Sequence, residues 1–72
     1  SGTVDVAAER ARLTKDLATA QKDQQTAEVK LGNEGFMAKA PMEVVLEIKE
    51  RLVKTQAEIE RITAALAALP SA

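Results

Sequence analysis

Apolar residues recur at steps of three and four in two long arrays, and that spacing leaves few folds open to the chain. The first array runs Val6, Arg10, Leu13, Leu17, Ala20, Gln24, Ala27 and Leu31. The second runs Val45, Ile48, Leu52, Thr55, Ile59, Ile62, Leu66 and Leu69. Alternating steps of this kind hold one stripe of an α-helix against a partner helix. Both segments therefore read as helices, and neither stripe can remain in water alone. The polar members Arg10 and Gln24 weaken the first seam, and a polar seam residue usually specifies register or lets an end fray.

Stop signals fit the same reading. Asp5 offers an N-cap carboxylate, Gly32 and Asn33 follow the last apolar member of the first array, and Pro41 suits the opening of the second helix with Glu43 near its positive end. The expected organisation is helix 5–31, tip loop 32–40, helix 41–69 and a short tail at 70–72, preceded by residues 1–4 as an N-terminal tail or cloning remnant. At about 1.5 Å per residue each helix makes a rod on the order of 40 Å. A linker this short reverses the chain, so the fold class is all-α, a two-helix antiparallel coiled-coil hairpin.

Two registers compete. A turn centred on Phe36 sets Ala27 against Val45, Ala20 against Leu52, Leu17 against Thr55 and Leu13 against Ile59, with Asp23 near Arg51. Sliding by one heptad joins Gln24 to Thr55 but puts Lys30 beside Arg51 and Asp23 beside Glu58. The symmetric turn is the expected one.

Composition narrows the chemistry. Among 72 residues there is neither Cys nor His, so disulfides, histidine general bases and nearly all transition-metal sites lose their side chains. A non-catalytic chain with no cofactor is expected. Ten Lys and Arg stand against eleven Asp and Glu, which gives no bulk attraction to nucleic acid or to an anionic membrane. No apolar run approaches the roughly 20 residues of a membrane span, and the N-terminus lacks a signal-peptide pattern. A soluble chain, not addressed for export, is expected.

Neutral overall, the charge is segregated in detail. On a helical wheel Arg12, Lys15, Lys22 and Lys30 lie within about 80° of one another, with Thr19 and Thr26 between them. Glu9, Asp16 and Asp23 recur every seven residues on the flank beside the seam. Arg51, Lys54 and Arg61 occupy the flank that a hairpin brings to the same broad side. Such a stripe is either the solvated face of a coiled coil or a phosphate-binding surface. On the other side Leu46 and Val53, with Ala11 and Ala18, form an apolar patch. It reads as scattered surface apolarity, as a face for a partner helix or a parent protein's body, or as a seat for weak self-association of a monomer.

The turn holds the only aromatic residue, Phe36, within LGNEGFMAKAP. Lys30-Leu31, Asn33-Glu34, Phe36, Lys39-Ala40-Pro41 and Glu43-Val44-Val45 resemble the tip signature of the C-terminal coiled-coil domain of valyl-tRNA synthetase, often written KLxNExFVxxAPxxVV. Asp5 and Ala7 through Leu13 are similar to the start of that domain's first helix, so the likeness spans nearly the whole chain. Met37 stands where the family commonly has Val, Gly35 is often Lys there, and Ala27 through Val29 lack the lysines usual in the first helix. The resemblance implies an antiparallel arm appended to a cytoplasmic class I synthetase, reaching the tRNA elbow while catalysis resides in other domains. It implies tRNA and the parent synthetase body as partners, with no membrane. Taken with the basic stripe, the resemblance makes Arg12, Lys15, Lys22, Lys30, Phe36, Lys39, Arg51 and Lys54 the expected RNA contacts. Phe36 itself admits two roles, an apolar plug closing the hairpin or a ring stacked on a base.

Overall fold

A computed structural model describes residues 5–71. Three helices follow in order: α1 (Val6–Leu31), α2 (Glu34–Lys39) and α3 (Met42–Ala68), with no strand among the described residues. The long helices α1 and α3 lie against each other as a hairpin, giving a rod of 57 × 16 × 15 Å. The N-terminal tail expected at 1–4 lies outside the described residues, as does Ala72.

Local chemistry sets each boundary. The Asp5 side chain accepts a hydrogen bond from the Ala8 amide at 3.1 Å, satisfying one of the free donors at the start of α1. Gly32 ends α1 in an ordinary right-handed conformation, with its N–H donating to the Glu28 carbonyl at 2.9 Å. No described residue has a positive φ, so the reversal is made without a left-handed glycine. A Cβ at Gly32 would come within 3.3 Å of the Glu28 carbonyl, and that close approach accounts for glycine here. Pro41 is the N-cap residue of α3, and its carbonyl accepts from the Val44 and Val45 amides at 3.0 and 3.2 Å. The last residue of α3 is Ala68, and the Leu69 amide donates to Leu66.

The tip departs from the loop expected at 32–40. Residues Glu34–Lys39 form the short helix α2, capped by the Asn33 side chain, which accepts from the Phe36 amide at 2.9 Å. Asn33 thus starts a helix as well as following one. An Asx cap competes with extended loop geometry whenever the next residues tolerate helical backbone, and Glu-Gly-Phe-Met-Ala-Lys does.

Packing between α1 and α3 is narrow. Leu13, Ala20, Ala27 and Ile62 are buried, and Ile62 is completely enclosed. Val6, Leu17, Gln24 and Leu31 on α1, with Val45, Ile48, Leu52, Thr55, Ile59 and Leu66 on α3 and Leu69 just after it, are half-buried along the same seam. Arg10 is the exception to the first array. It is exposed, and its guanidinium donates to the Pro70 carbonyl at 3.1 Å, lacing the open end of the hairpin. A long charged side chain escapes an apolar seam by carrying its head to a polar partner at the edge, which avoids desolvating the charge.

Register lies between the two alternatives. Asp23 and Arg51 are paired at 3.9 Å, as the symmetric turn requires. Yet Lys30 and Arg51 line one hollow with Ala27 and Ile48, and Glu58 lines another with Asp16 and Asp23, as the shifted register requires. Arg61 lies within electrostatic reach of both Arg12 and Asp16, which brings the adjacent Ile62 level with Leu13. A half-heptad slide exchanges one set of seam positions for the other, so the spacing of the seam alone does not oppose it.

Candidate nucleic-acid interface

The cationic residues divide by type. All four arginines are engaged within the hairpin. Arg12 forks onto Glu9, with Nε to Oε2 at 3.3 Å, and reaches Asp16 at 3.3 Å on its other side. Arg61 holds Glu58 through Nε at 3.1 Å, Arg51 faces Asp23, and Arg10 holds the Pro70 carbonyl. None of the six lysines makes an ion pair among the described residues.

Electrostatics follows these contacts. The hydrogen bond from Arg12, with its charge, holds the Glu9 carboxyl below its ordinary value, and Arg61 does the same to Glu58. Both guanidinium groups are correspondingly raised, first by those hydrogen bonds. Arg12, Arg61 and Glu58 are exposed and Glu9 is half-buried, so these pairs order the surface more than they stabilise the fold.

Helix α1 carries the coherent part of the stripe. Lys15, Lys22 and Lys30 are exposed, and the turns between them hold Thr19 and Thr26. Those hydroxyls donate back to the Lys15 and Lys22 carbonyls at 3.2 and 3.0 Å, keeping them on the helix rather than on the lysine heads. Lys15 and Lys22 have no acid three or four positions away; Lys30 has only Glu34, at the tip. On α3 the picture differs. Lys54 is exposed but has Glu50 and Glu58 one turn to either side, and Arg51 is turned toward Asp23.

At the tip Phe36 and Met37 are half-buried, while Lys39 is exposed. A shallow apolar hollow is lined by Met37, Ala40, Met42, Val45, Leu46 and Lys49. Lys49 lies outside the basic arcs read from the helical wheel. Its signal is its place one turn after Val45, on the flank away from Arg51. Leu46 and Val53 are exposed at 51% and 65%, and Met42 at 78%, so the apolar patch continues toward the tip.

The described residues form a helical lever with its charged side chains spread on an outer face, and they hold no group of acidic residues placed to bind a metal ion. The sequence model of the family described as "Valyl tRNA synthetase tRNA binding arm" matches residues 5–70, and the chain belongs to that family. It is 64% identical over its whole length to a valine--tRNA ligase of Corynebacterium jeikeium and 57% identical to one of Streptomyces coelicolor, covering 8% of each. A valine--tRNA ligase of Mycobacterium tuberculosis is 55% identical over 96% of the chain, again 8% of its own length. The chain thus spans about a twelfth of these relatives, and the part it spans is the arm. No solved structure matches it. No helix among the described residues is long and apolar enough to cross a membrane.

Proposed function

We propose that the hairpin binds tRNA at the elbow, where the D and T loops meet, and helps hold the acceptor end toward a distant aminoacylation site. Lys15, Lys22 and Lys30 meet phosphates along the lever. Phe36 and Lys39 engage the corner from the tip. The observation that carries this reading is the line of exposed lysines on α1, in a chain that belongs to a tRNA-binding-arm family. Lysine heads neutralise backbone charge and release counterions, so they read the shape and spacing of phosphates rather than base identity. Positioning, not chemistry, is the arm's contribution: holding a bound end in reactive geometry lowers the entropic part of a barrier set elsewhere.

Fluorescence anisotropy with a full-length tRNA and with an acceptor–T-stem minihelix lacking the D loop tests it. The expected result is tighter binding to the intact elbow by about tenfold, weakening steeply with salt. Equal affinity for both RNAs would remove the elbow from the account, and no binding to either would remove tRNA.

A further inference from the structure

The contrast between arginine and lysine fixes which side of the hairpin faces RNA. We infer that α1 is the RNA-facing helix, that Lys15, Lys22 and Lys30 make the phosphate contacts, and that Arg12, Arg51 and Arg61 are positioning residues spent within the hairpin. This rests on the tRNA-binding reading and adds an orientation to it.

Three observations converge. First, Arg12 and Arg61 are forked onto Glu9 and Glu58, Arg12 also reaches Asp16, and Arg51 faces Asp23 at 3.9 Å. A guanidinium forked onto a carboxylate has its planar donor set occupied, so a phosphate must displace that acid or accept the remaining donors beside a negative charge. Lysines carry no such debt here. Second, the arc from Lys15 to Lys30 contains no acid, whereas the outward faces of α3 carry Glu43, Glu47, Glu50, Glu58 and Glu60. An RNA laid along α3 would meet carboxylates on successive turns from Glu43 to Glu50 and again at Glu58 and Glu60. Third, Lys15, Lys22 and Lys30 are seven and eight residues apart, so their heads fall in one row at intervals of roughly 10–12 Å. A row of flexible point charges suits an irregular phosphate backbone.

Lys15 and Lys22 lie on the outer part of α1, turned away from the seam and beyond the acidic flank of Glu9, Asp16 and Asp23, while Lys30, nearer the tip, lines a hollow with Ile48 and Arg51 of α3. Asp23 faces Arg51 and Asp16 lies within electrostatic reach of Arg61 across the helix pair, while Glu9 pairs with Arg12 on its own helix. One flank therefore aligns the helices and the next meets the ligand. The exposed apolar strip of Met42, Leu46 and Val53 on α3 then points away from RNA.

Lysine footprinting on the unaltered 72-residue protein tests the orientation. The protein is acylated sparsely with N-hydroxysuccinimide acetate, with and without tRNA, and each lysine is quantified by mass spectrometry. Lys15, Lys22 and Lys30 should be protected by about threefold or more, and Lys49 and Lys54 should react at unchanged rates. Protection of Lys54 equal to that of Lys22, in a sample that binds tRNA, would overturn the inference and leave tRNA binding intact. If no tRNA binds, both fall together. A second arm uses charge-neutral pair removal. E58Q/R61Q should hold affinity within about twofold, while K15Q/K22Q/K30Q should flatten the log-affinity against log-salt slope by about 2 to 3. Far-UV circular dichroism on both variants separates lost contacts from lost helix. If E58Q/R61Q keeps its helix and loses affinity as the lysine variant does, the assignment of arginines to structure is wrong.

Discussion

Along α1 burial is complete only at Leu13, Ala20 and Ala27, and two of those three are alanines; α3 presents Ile48, Leu52, Ile59, Ile62 and Leu66 to the same seam and encloses Ile62 entirely. The outward faces differ in the opposite sense, with acid-free lysines on α1 and interleaved carboxylates on α3. One helix therefore supplies bulk to the seam and the other supplies flatness and positive charge. Small residues on α1 let the large side chains of α3 reach across, so a thin two-helix rod acquires a core without a third layer. Chains of this size bury little, and losses on the bulky side should cost the most.

Ile62→Ala is the strongest way to break that asymmetry. Deleting a fully enclosed isoleucine removes transfer energy and leaves a cavity, a loss of about 2 to 5 kcal/mol, comparable with the whole stability of so small a fold. Thermal melts should show a broad, early transition or no cooperative transition. A melt within a few degrees of the parent would mean that the seam closes over the gap, and bulk on α3 would lose its importance. The small side is probed by Ala20→Leu. Ala20 is buried at 7% exposure, and added methylenes there should push the helices apart at a cost of about 1 to 3 kcal/mol. Should Ala20→Leu stabilise the hairpin, the flatness of α1 would be spare volume rather than a fitted surface.

These contrasts were unequally visible in the residues themselves. The steps of three and four through Leu13, Leu17 and Ala20, and through Ile48, Leu52 and Ile59, dictate two helices, and a short connection between them dictates reversal. Asp5 announces its capping bond. What the spacing does not resolve is a half-heptad slide, because steps of three and four recur in both sets of seam positions. The helix α2 was hidden by its composition, with glycine at 32 and 35 suggesting loop where Asn33 capping makes a turn of helix. Arg10 satisfied the spacing of the seam, but spacing says nothing about the free energy of burying a guanidinium, and the side chain leaves for the Pro70 carbonyl. For the candidate interface, the helical wheel grouped Lys15, Lys22 and Lys30 on one arc, and all three are exposed. It did not show which cations were already paired, since Arg12 and Arg61 differ from the lysines in how their forks find nearby carboxylates.

The smallest expected effect separates the helices by their acid pairs. Glu9 on α1 and Glu58 on α3 both have carboxyl groups lowered from the ordinary value of 4.5, in each case first by the arginine three residues on. A carboxyl whose folded pKa is lowered contributes stability that is fully present above the unfolded value and disappears as pH falls through the folded one. Melting temperature should therefore be flat above about pH 5 and decline slightly on further acidification. Beyond this shared sign, the two sites differ. When Glu9 is protonated, Arg12 keeps Asp16 at 3.3 Å, whereas Arg61 has no second carboxylate in contact among the described residues. Glu58→Gln should consequently flatten the acid limb more than Glu9→Gln, and both changes should be small because the groups stand in solvent. Circular dichroism melts of the two variants between neutral and acidic pH decide it. A larger effect from Glu9→Gln would mean that Asp16 serves Arg61 across the helix pair instead of sharing Arg12, and that the acidic flank of α1 belongs to the seam as much as to its own helix.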